Sequence, residues 1–387
     1  MVSKLKSKRL SGIGEYYFSK KLREIDTLNA KGENVLNLGI GSPDMPPPSA
    51  VKETLVNGFN ELNYHQYQSY KGIPDLRNAF AKWYAKYFGV MLEPDAEVLP
   101  LIGSKEGVIH ISMSLLNEGD QALVPNPGYP TYGSATNLAG GEPVYYSLDE
   151  AHQYHPDFDA LEQLDLSRVK LMWVNYPHMP TGGNGSDDLF AQLIQFSRKH
   201  QIVIVNDNPY GFILTDKRRS LLQQRQNTDL VLELNSISKS HNMAGWRIGV
   251  LVGNADLIQT VLAFKSNVDS GQFKPVMRSA VAALEVSEDW YELLNDEYKI
   301  RKKLAQQVVE LIGCTFRDEE VGMFIWARIP TEFSDGESFA DFLLNKYRIF
   351  IPPGSVFGSE GKSFIRLSLC SPREIWEEVI KRIKEKE

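Results

Sequence analysis

Lys239 lies in the run Ser236-Ile-Ser-Lys-Ser-His-Asn-Met-Ala-Gly-Trp-Arg247, three residues after a serine and eight before an arginine. Its neighbours are small, hydroxylated or apolar, whereas a lysine on a solvated face would sit among other charges. Partial desolvation beside a cation lowers a lysine pKa and frees the lone pair to attack a carbonyl, so this amine is suited to Schiff-base chemistry. The alternative is an ordinary lysine in a serine-rich turn, and the surrounding chemistry decides between them. Asp207, in Asn206-Asp-Asn-Pro-Tyr210, follows an apolar run. A carboxylate at the end of a buried strand needs a cation or hydrogen-bond donors to stay charged. The protonated nitrogen of a pyridine ring would serve, although the same residues could simply start a turn before Pro209. Tyr129, in Asn126-Pro-Gly-Tyr-Pro130, offers a flat face for an aromatic ring. Arg366, in Phe364-Ile-Arg-Leu-Ser368, is a charge inside an apolar strand pattern. Its guanidinium demands an anion, either a ligand carboxylate or an internal acid. Finally, Gly103-Ser-Lys-Glu-Gly107 opens a helical pattern and would present backbone N–H groups to a phosphate, or act as a plain N-cap.

Cheaper nucleotide sites fail on spacing. Gly39-Ile-Gly41-Ser-Pro-Asp44 starts like a dinucleotide fingerprint but lacks the third glycine and has a proline in the turn. Gly358-Ser-Glu-Gly-Lys-Ser363 ends like a P-loop, but Val356 stands where its first glycine would be. The seven histidines give no metal-ligand spacing: His152 and His155 lie in a polar stretch without a third ligand, and no metal is expected. His178 and His241, close to the motifs above, could line the site. Only Cys314 and Cys370 are present, which points to a reducing compartment. A net charge of −7 on 387 residues, with scattered lysines, argues against nucleic-acid or membrane-surface partners. The basic start, Met1 to Arg9, has no apolar segment behind it, and no stretch reaches the length of a membrane helix, so a cytoplasmic protein is expected.

The elements that must position these residues follow from hydrophobic rhythm. With 42% hydrophobic residues the chain can bury a large core over two or three domains. Apolar runs at Ala96 to Ile102, Gln121 to Pro125, Val169 to Val174, Gln201 to Val205 and Leu230 to Leu234 alternate with helical patterns, the signature of an α/β sheet. Ile202 to Val205 and Leu171 to Val174 lack polar alternation, which predicts a mostly parallel sheet covered on both faces. In such sheets the ligand crevice lies beyond the carboxyl ends of the strands, where Ser104, Tyr129, Asp207 and Lys239 would all fall. Residues 272 to 312 predict one or two long helices. Strands at Gly322 to Ile329 and Ser363 to Leu369, a helix at Glu337 to Lys346 and a closing amphipathic helix from Pro372 predict an α+β C-terminal domain. The expected division is an arm over 1–45, a large cofactor-binding domain over 46–280 and a small domain over 281–387.

Together these residues resemble the fold-type-I, pyridoxal-phosphate-dependent aminotransferases of class I/II, over nearly the whole chain from Gly14 onward. The resemblance implies an aspartate aminotransferase-like α/β fold with a mostly parallel seven-stranded sheet. It also implies transfer of an amino group between an L-amino acid and a 2-oxo acid by a ping-pong mechanism, in a homodimer with shared sites. By the same resemblance Lys239 is the Schiff-base lysine, and Ser236, Arg247, Ser104 and Lys105 hold the cofactor phosphate. Asp207 keeps the pyridine nitrogen protonated, Tyr210 donates to the ring phenolate, and Tyr129 stacks on the ring. Arg366 clamps the substrate carboxylate, and Ile40 and Gly41 edge the pocket. Tyr67, in Tyr67-Gln-Ser-Tyr-Lys-Gly-Ile-Pro74, matches a residue that reaches the neighbouring subunit's phosphate. The segments Ile13 to Phe18 and Gly41 to Met45 are similar to the branch containing LL-diaminopimelate and kynurenine-type aminotransferases. One departure stands out. The family's Asn-Pro-Thr-Gly is Met179-Pro-Thr-Gly182 here, and a thioether cannot donate to the phenolate; Asn175 is the substitute donor to consider. A β-eliminating C–S lyase on the same scaffold is the alternative function. A non-catalytic regulatory protein would need an output module, for which the chain leaves no room.

Overall fold

Short apolar runs punctuated by glycine, proline and asparagine become the strands β1 (Leu36–Asn37), β2 (Val98–Leu101), β3 (Gln121–Asn126), β4 (Glu142–Ser147), β5 (Val169–Val174), β6 (Val203–Asp207), β7 (Val231–Ser236), β8 (Gly249–Gly253), β9 (Phe324–Arg328), β10 (Ile349–Phe350) and β11 (Phe364–Ser368). The structure is a computed structural model that describes residues 7–10 and 13–386; the first six residues of the basic N-terminal stretch lie outside the described residues. Seven strands form one sheet in the order β2-β8-β7-β6-β5-β3-β4. All pairings are parallel except those of β8, which runs antiparallel to both neighbours.

The absence of polar alternation has a direct cause. Along β5, Leu171 and Trp173 enter one apolar cluster while Met172 and Val174 enter another on the opposite face. Helices Ser104–Leu115 and Ala255–Lys265 cover the first face through Val108, Ile111, Ile258 and Val261. Helix Asp187–His200 covers the second through Leu189, Phe190, Leu193 and Ile194, with Ser186 accepting a hydrogen bond from Leu189 N as its N-cap. Each such side chain contributes roughly 1.5–3 kcal/mol by leaving water. The carboxyl ends of β7, β6, β5 and β3 therefore open side by side along a rigid, two-faced sheet.

The predicted helical stretch is two helices, Lys274–Leu284 and Glu288–Leu311. Beyond it β9 and β11 pair antiparallel, placing Arg366 opposite Trp326, and the closing helix Arg373–Lys384 buries Trp376, Val379 and Ile383 on one stripe. The N-terminal arm joins this part of the chain, because β1 pairs in parallel with β10. Two strands of the main sheet were not foreseen in the sequence. β4 is an edge strand with Pro143 and largely solvent-facing side chains, and β8 is five residues bounded by glycines. Among the described residues no helix is long and apolar enough to cross a membrane.

Candidate active site

Most of the predicted cofactor residues leave the main sheet at strand ends, whereas Arg366 lies within β11 of the separate β9–β11 pair. β7 finishes at Ser236, whose hydroxyl caps the single turn Ile237–Ser240 that carries Lys239. β6 finishes at Asp207, Asn175 follows β5, and Tyr129 follows β3. β2 leads through Gly103 into the helix Ser104–Leu115, whose first N–H groups receive no side-chain cap. Gly103 has φ +89°, and an added Cβ there would collide with the Arg247 guanidinium, so glycine lets the arginine close over the helix start. These residues converge on a cavity of about 470 Å³ lined by Lys239, Asp207, Tyr210, Tyr129, Ser104, Lys105, Ser236, Arg247, Arg366, Ile40, Gly41, Asn175 and Met179. Tyr67 is apart from them and 89% exposed.

Electrostatics distinguish this cavity from ordinary packing. Asp207 Oδ2 accepts a hydrogen bond from Tyr132 Oη at 2.9 Å, while Oδ1 is buried without a partner. Burial pushes the Asp207 carboxyl up to about 7, with the Tyr132 hydroxyl opposing the rise and Glu233 adding to it. Arg366 is 4% exposed, and no carboxylate of the described residues pairs with it. Its Nη2 donates to Gly39 O at 2.6 Å, its Nε has no partner, and its plane packs 4.1 Å from the Phe324 ring centre and 4.6 Å from that of Phe357. Burial pushes its pKa down to about 10. The internal salt bridge considered from sequence is therefore not what holds this guanidinium. Lys239 Nζ donates to Gly41 O, and burial lowers the ammonium pKa, with Arg366 and Arg247 lowering it further and Cys370 opposing.

A pyridoxal phosphate fits these fittings. The unpaired Asp207 oxygen could take a ring N–H, the uncapped helix start with Arg247 and Ser236 could take a phosphate, and the buried amine could take the aldehyde. Other features required the fold to be seen. Tyr132, the partner of Asp207, lies one turn beyond Tyr129 and stacks on Trp173 at 5.0 Å. Tyr16, Phe18 and Leu22 of the arm, with Phe324 and Phe357, line the cavity. Their contacts join segments distant in sequence, so no local spacing signals them. His178 and His241 do not line the cavity. His178 bonds Thr181 Oγ1, His241 lies between Ser240 and Tyr291, and burial pushes both imidazoles down to about 3.

The Met179 departure also takes a definite form. Its sulfur lies 3.4 Å from Arg366 Nη1, and its N–H donates to Asn175 Oδ1 at 2.8 Å. Asn175 Nδ2 donates in turn to the Asp207 carbonyl. The amide of Asn175 is thus engaged with backbone on both sides, which leaves a single N–H for any ligand.

The chain is similar to known proteins along nearly its whole length. The family model for aminotransferase class I and II matches residues 33–383. The LL-diaminopimelate aminotransferase of Dehalococcoides mccartyi strain 195 is 39% identical over 97% of both chains, and that of Aquifex aeolicus is 35% identical over 98% of both. The apo structure of BacF from Bacillus subtilis superposes with a TM-score of 0.94 at 34% identity, covering 98% of each chain. The chain belongs to the class I and II aminotransferases and is a pyridoxal-phosphate-dependent enzyme of that family.

Proposed function

We propose that Lys239, Asp207 and Arg366 are the working centre of this aminotransferase, with Lys239 carrying the cofactor and Arg366 reading the substrate carboxylate. The observation that supports this best is Arg366, a buried guanidinium with no acidic partner among the described residues, sharing one cavity with a buried amine and an unpaired carboxylate oxygen. When bound, pyridoxal phosphate supplies an aldehyde for the amino group and a protonated ring that accepts electron density as the Cα proton leaves. Asp207 Oδ1 holds the proton on the ring nitrogen. Lys239 Nζ, whose pKa burial lowers, would take the Cα proton and deliver it to the carbon on the far side of the amine nitrogen, the former aldehyde carbon. Ser236, Arg247 and the N–H groups of Ser104 and Lys105 bind the phosphate, Tyr129 backs the ring, and Tyr210 donates to its phenolate oxygen. Ile40 and Gly41 edge the substrate, and Phe18, Phe324 and Phe357 shield the Arg366 contact from water.

The proposal extends to assembly and place. Phe59, Tyr64 and Phe273 cluster within 6.1 Å of one another beside the exposed Tyr67 and Leu62, an apolar patch suited to a second copy whose phosphate Tyr67 would reach. The free, buried Cys314 and Cys370 are consistent with a reducing cytoplasm.

For the donor, the names of the relatives favour LL-diaminopimelate. A second reading, a large apolar or aromatic donor, is supported by the lining: Asp207 is its one carboxylate among the described residues, and Phe18, Leu22, Phe324 and Phe357 present carbon. A panel of donors against 2-oxoglutarate and pyruvate, followed by cofactor absorbance and by the 2-oxo acid formed, tests both. Arg366→Lys should raise KM about tenfold or more for every good donor while cofactor is retained. An unchanged KM removes the clamp. Pyruvate and ammonia released from a cysteine conjugate without added oxo acid would replace transamination by β-elimination.

A further inference from the structure

Outside the active-site cavity, three side chains converge that the transamination chemistry does not use. Glu106 and His110 lie one turn apart on the helix Ser104–Leu115, and Asp269 comes from the segment after the helix Ala255–Lys265. One ligand atom of each lies within 4.8 Å of the other two. His110 is 1% exposed, yet neither ring nitrogen has a hydrogen-bond partner. Its Nε2 is 3.4 Å from Glu106 Oε1, without the geometry of a hydrogen bond.

The carboxylates are each half committed. Glu106 Oε2 accepts from Ile102 N at 2.8 Å. Asp269 Oδ1 accepts from Lys265 Nζ at 2.9 Å and from Gly271 N at 2.8 Å, while Asp269 Oδ2 is buried with no partner. An unpartnered buried imidazole beside an unpartnered buried carboxylate oxygen is costly unless something sits between them. Two carboxylates against one Lys265 ammonium leave one negative charge over, so that something is a cation. We propose that Glu106, His110 and Asp269 bind a divalent transition-metal ion.

One imidazole and two carboxylates form a mixed nitrogen and oxygen set suited to Zn²⁺ or Mn²⁺, with water completing the shell. The Glu106 side chain is 24% exposed, which provides the way in and room for that water. The present 3.4 Å separation suits two adjacent ligands of one ion, and the Asp269 ligand atom lies within 4.8 Å of the other two. Sequence spacing alone could not show this site, because Asp269 joins the other two only through the fold. An ion here would pin the helix whose first turn faces the phosphate pocket to the segment around Lys265, which also holds Tyr70 O at 3.0 Å in the loop carrying Tyr67.

The test uses the holoenzyme, stripped with chelator and dialysed against micromolar Zn²⁺ or Mn²⁺, with bound metal counted per chain by elemental analysis and affinity measured by titration calorimetry. One ion per chain is expected. It should be lost or bound at least about tenfold more weakly in His110→Gln and in Asp269→Asn, with the cofactor absorbance spectrum unchanged. Asp269→Asn keeps an oxygen for Lys265 and Gly271, so it remains informative if His110→Gln fails to fold. His152→Gln, at the exposed His152–Asp149 pair, should bind as the parent does. Wild type that retains no ion, or both site variants retaining it with unaltered affinity, would overturn the proposal.

Discussion

At the scale of single residues, Asp207 shows how a site trades stability for chemistry. Its carboxyl is buried and pushed from the ordinary 3.8 up to about 7, so the folded chain keeps a proton that the unfolded chain has lost. Stability of the cofactor-free protein must therefore fall as pH rises from about 4 to about 7 and stay reduced above that, by up to roughly 4 kcal/mol. Asp207→Asn removes the titration. Melting temperatures of the two cofactor-free proteins between pH 5 and 8 should diverge, with the wild type losing ground as pH rises; parallel curves would show that Asp207 is already neutralised by the protein. The residues legible in sequence were those beside strand ends, where Lys239, Asp207 and Tyr129 carry local punctuation. Tyr132 and Phe324 were not legible, since nothing near them in the chain reveals that they meet Asp207 and Arg366.

At the scale of elements, the Asn175 side chain stitches the end of β5 to that of β6, beside the Tyr176 N–H that donates to Asn206 Oδ1. Asn175 accepts from Met179 N and donates to the Asp207 carbonyl, both in buried surroundings. Asn175→Ala leaves a buried donor and a buried acceptor without that partner, at about 1–3 kcal/mol each. A urea midpoint lowered accordingly, with the slope of the transition unchanged, is the expected result; an unchanged midpoint would mean that water takes over both bonds. Apolar periodicity revealed the strands covered on both faces, because Leu171 to Val174 must satisfy two cores at once. It was silent on β4, whose exposed edge imposes no such demand, and on β8, which is short and framed by Gly249 and Gly253.

At the scale of the whole molecule, the arm and the C-terminal part act together: β1 pairs with β10, and Phe18 packs over Arg366. Residues of the arm, of the main sheet's strand ends and of the C-terminal part line the one cavity together. The exposed rings of Phe59, Tyr67 and Phe273 belong to the face proposed for a second copy, which the sequence suggested only by resemblance. Sedimentation should show a dimer. Tyr67→Phe keeps the apolar ring and removes the hydroxyl, so the dimer should persist while cofactor is held about tenfold or more less tightly. Unaltered cofactor retention would mean that Tyr67 does not reach the neighbouring phosphate.

The assignment of Lys239 governs all of these readings. Borohydride reduction of the holoenzyme followed by peptide mass spectrometry should find the pyridoxyl group on Lys239, and Lys239→Ala should lose both that adduct and transamination. A reduced adduct on another lysine, or near-normal turnover in Lys239→Ala, would contradict the account.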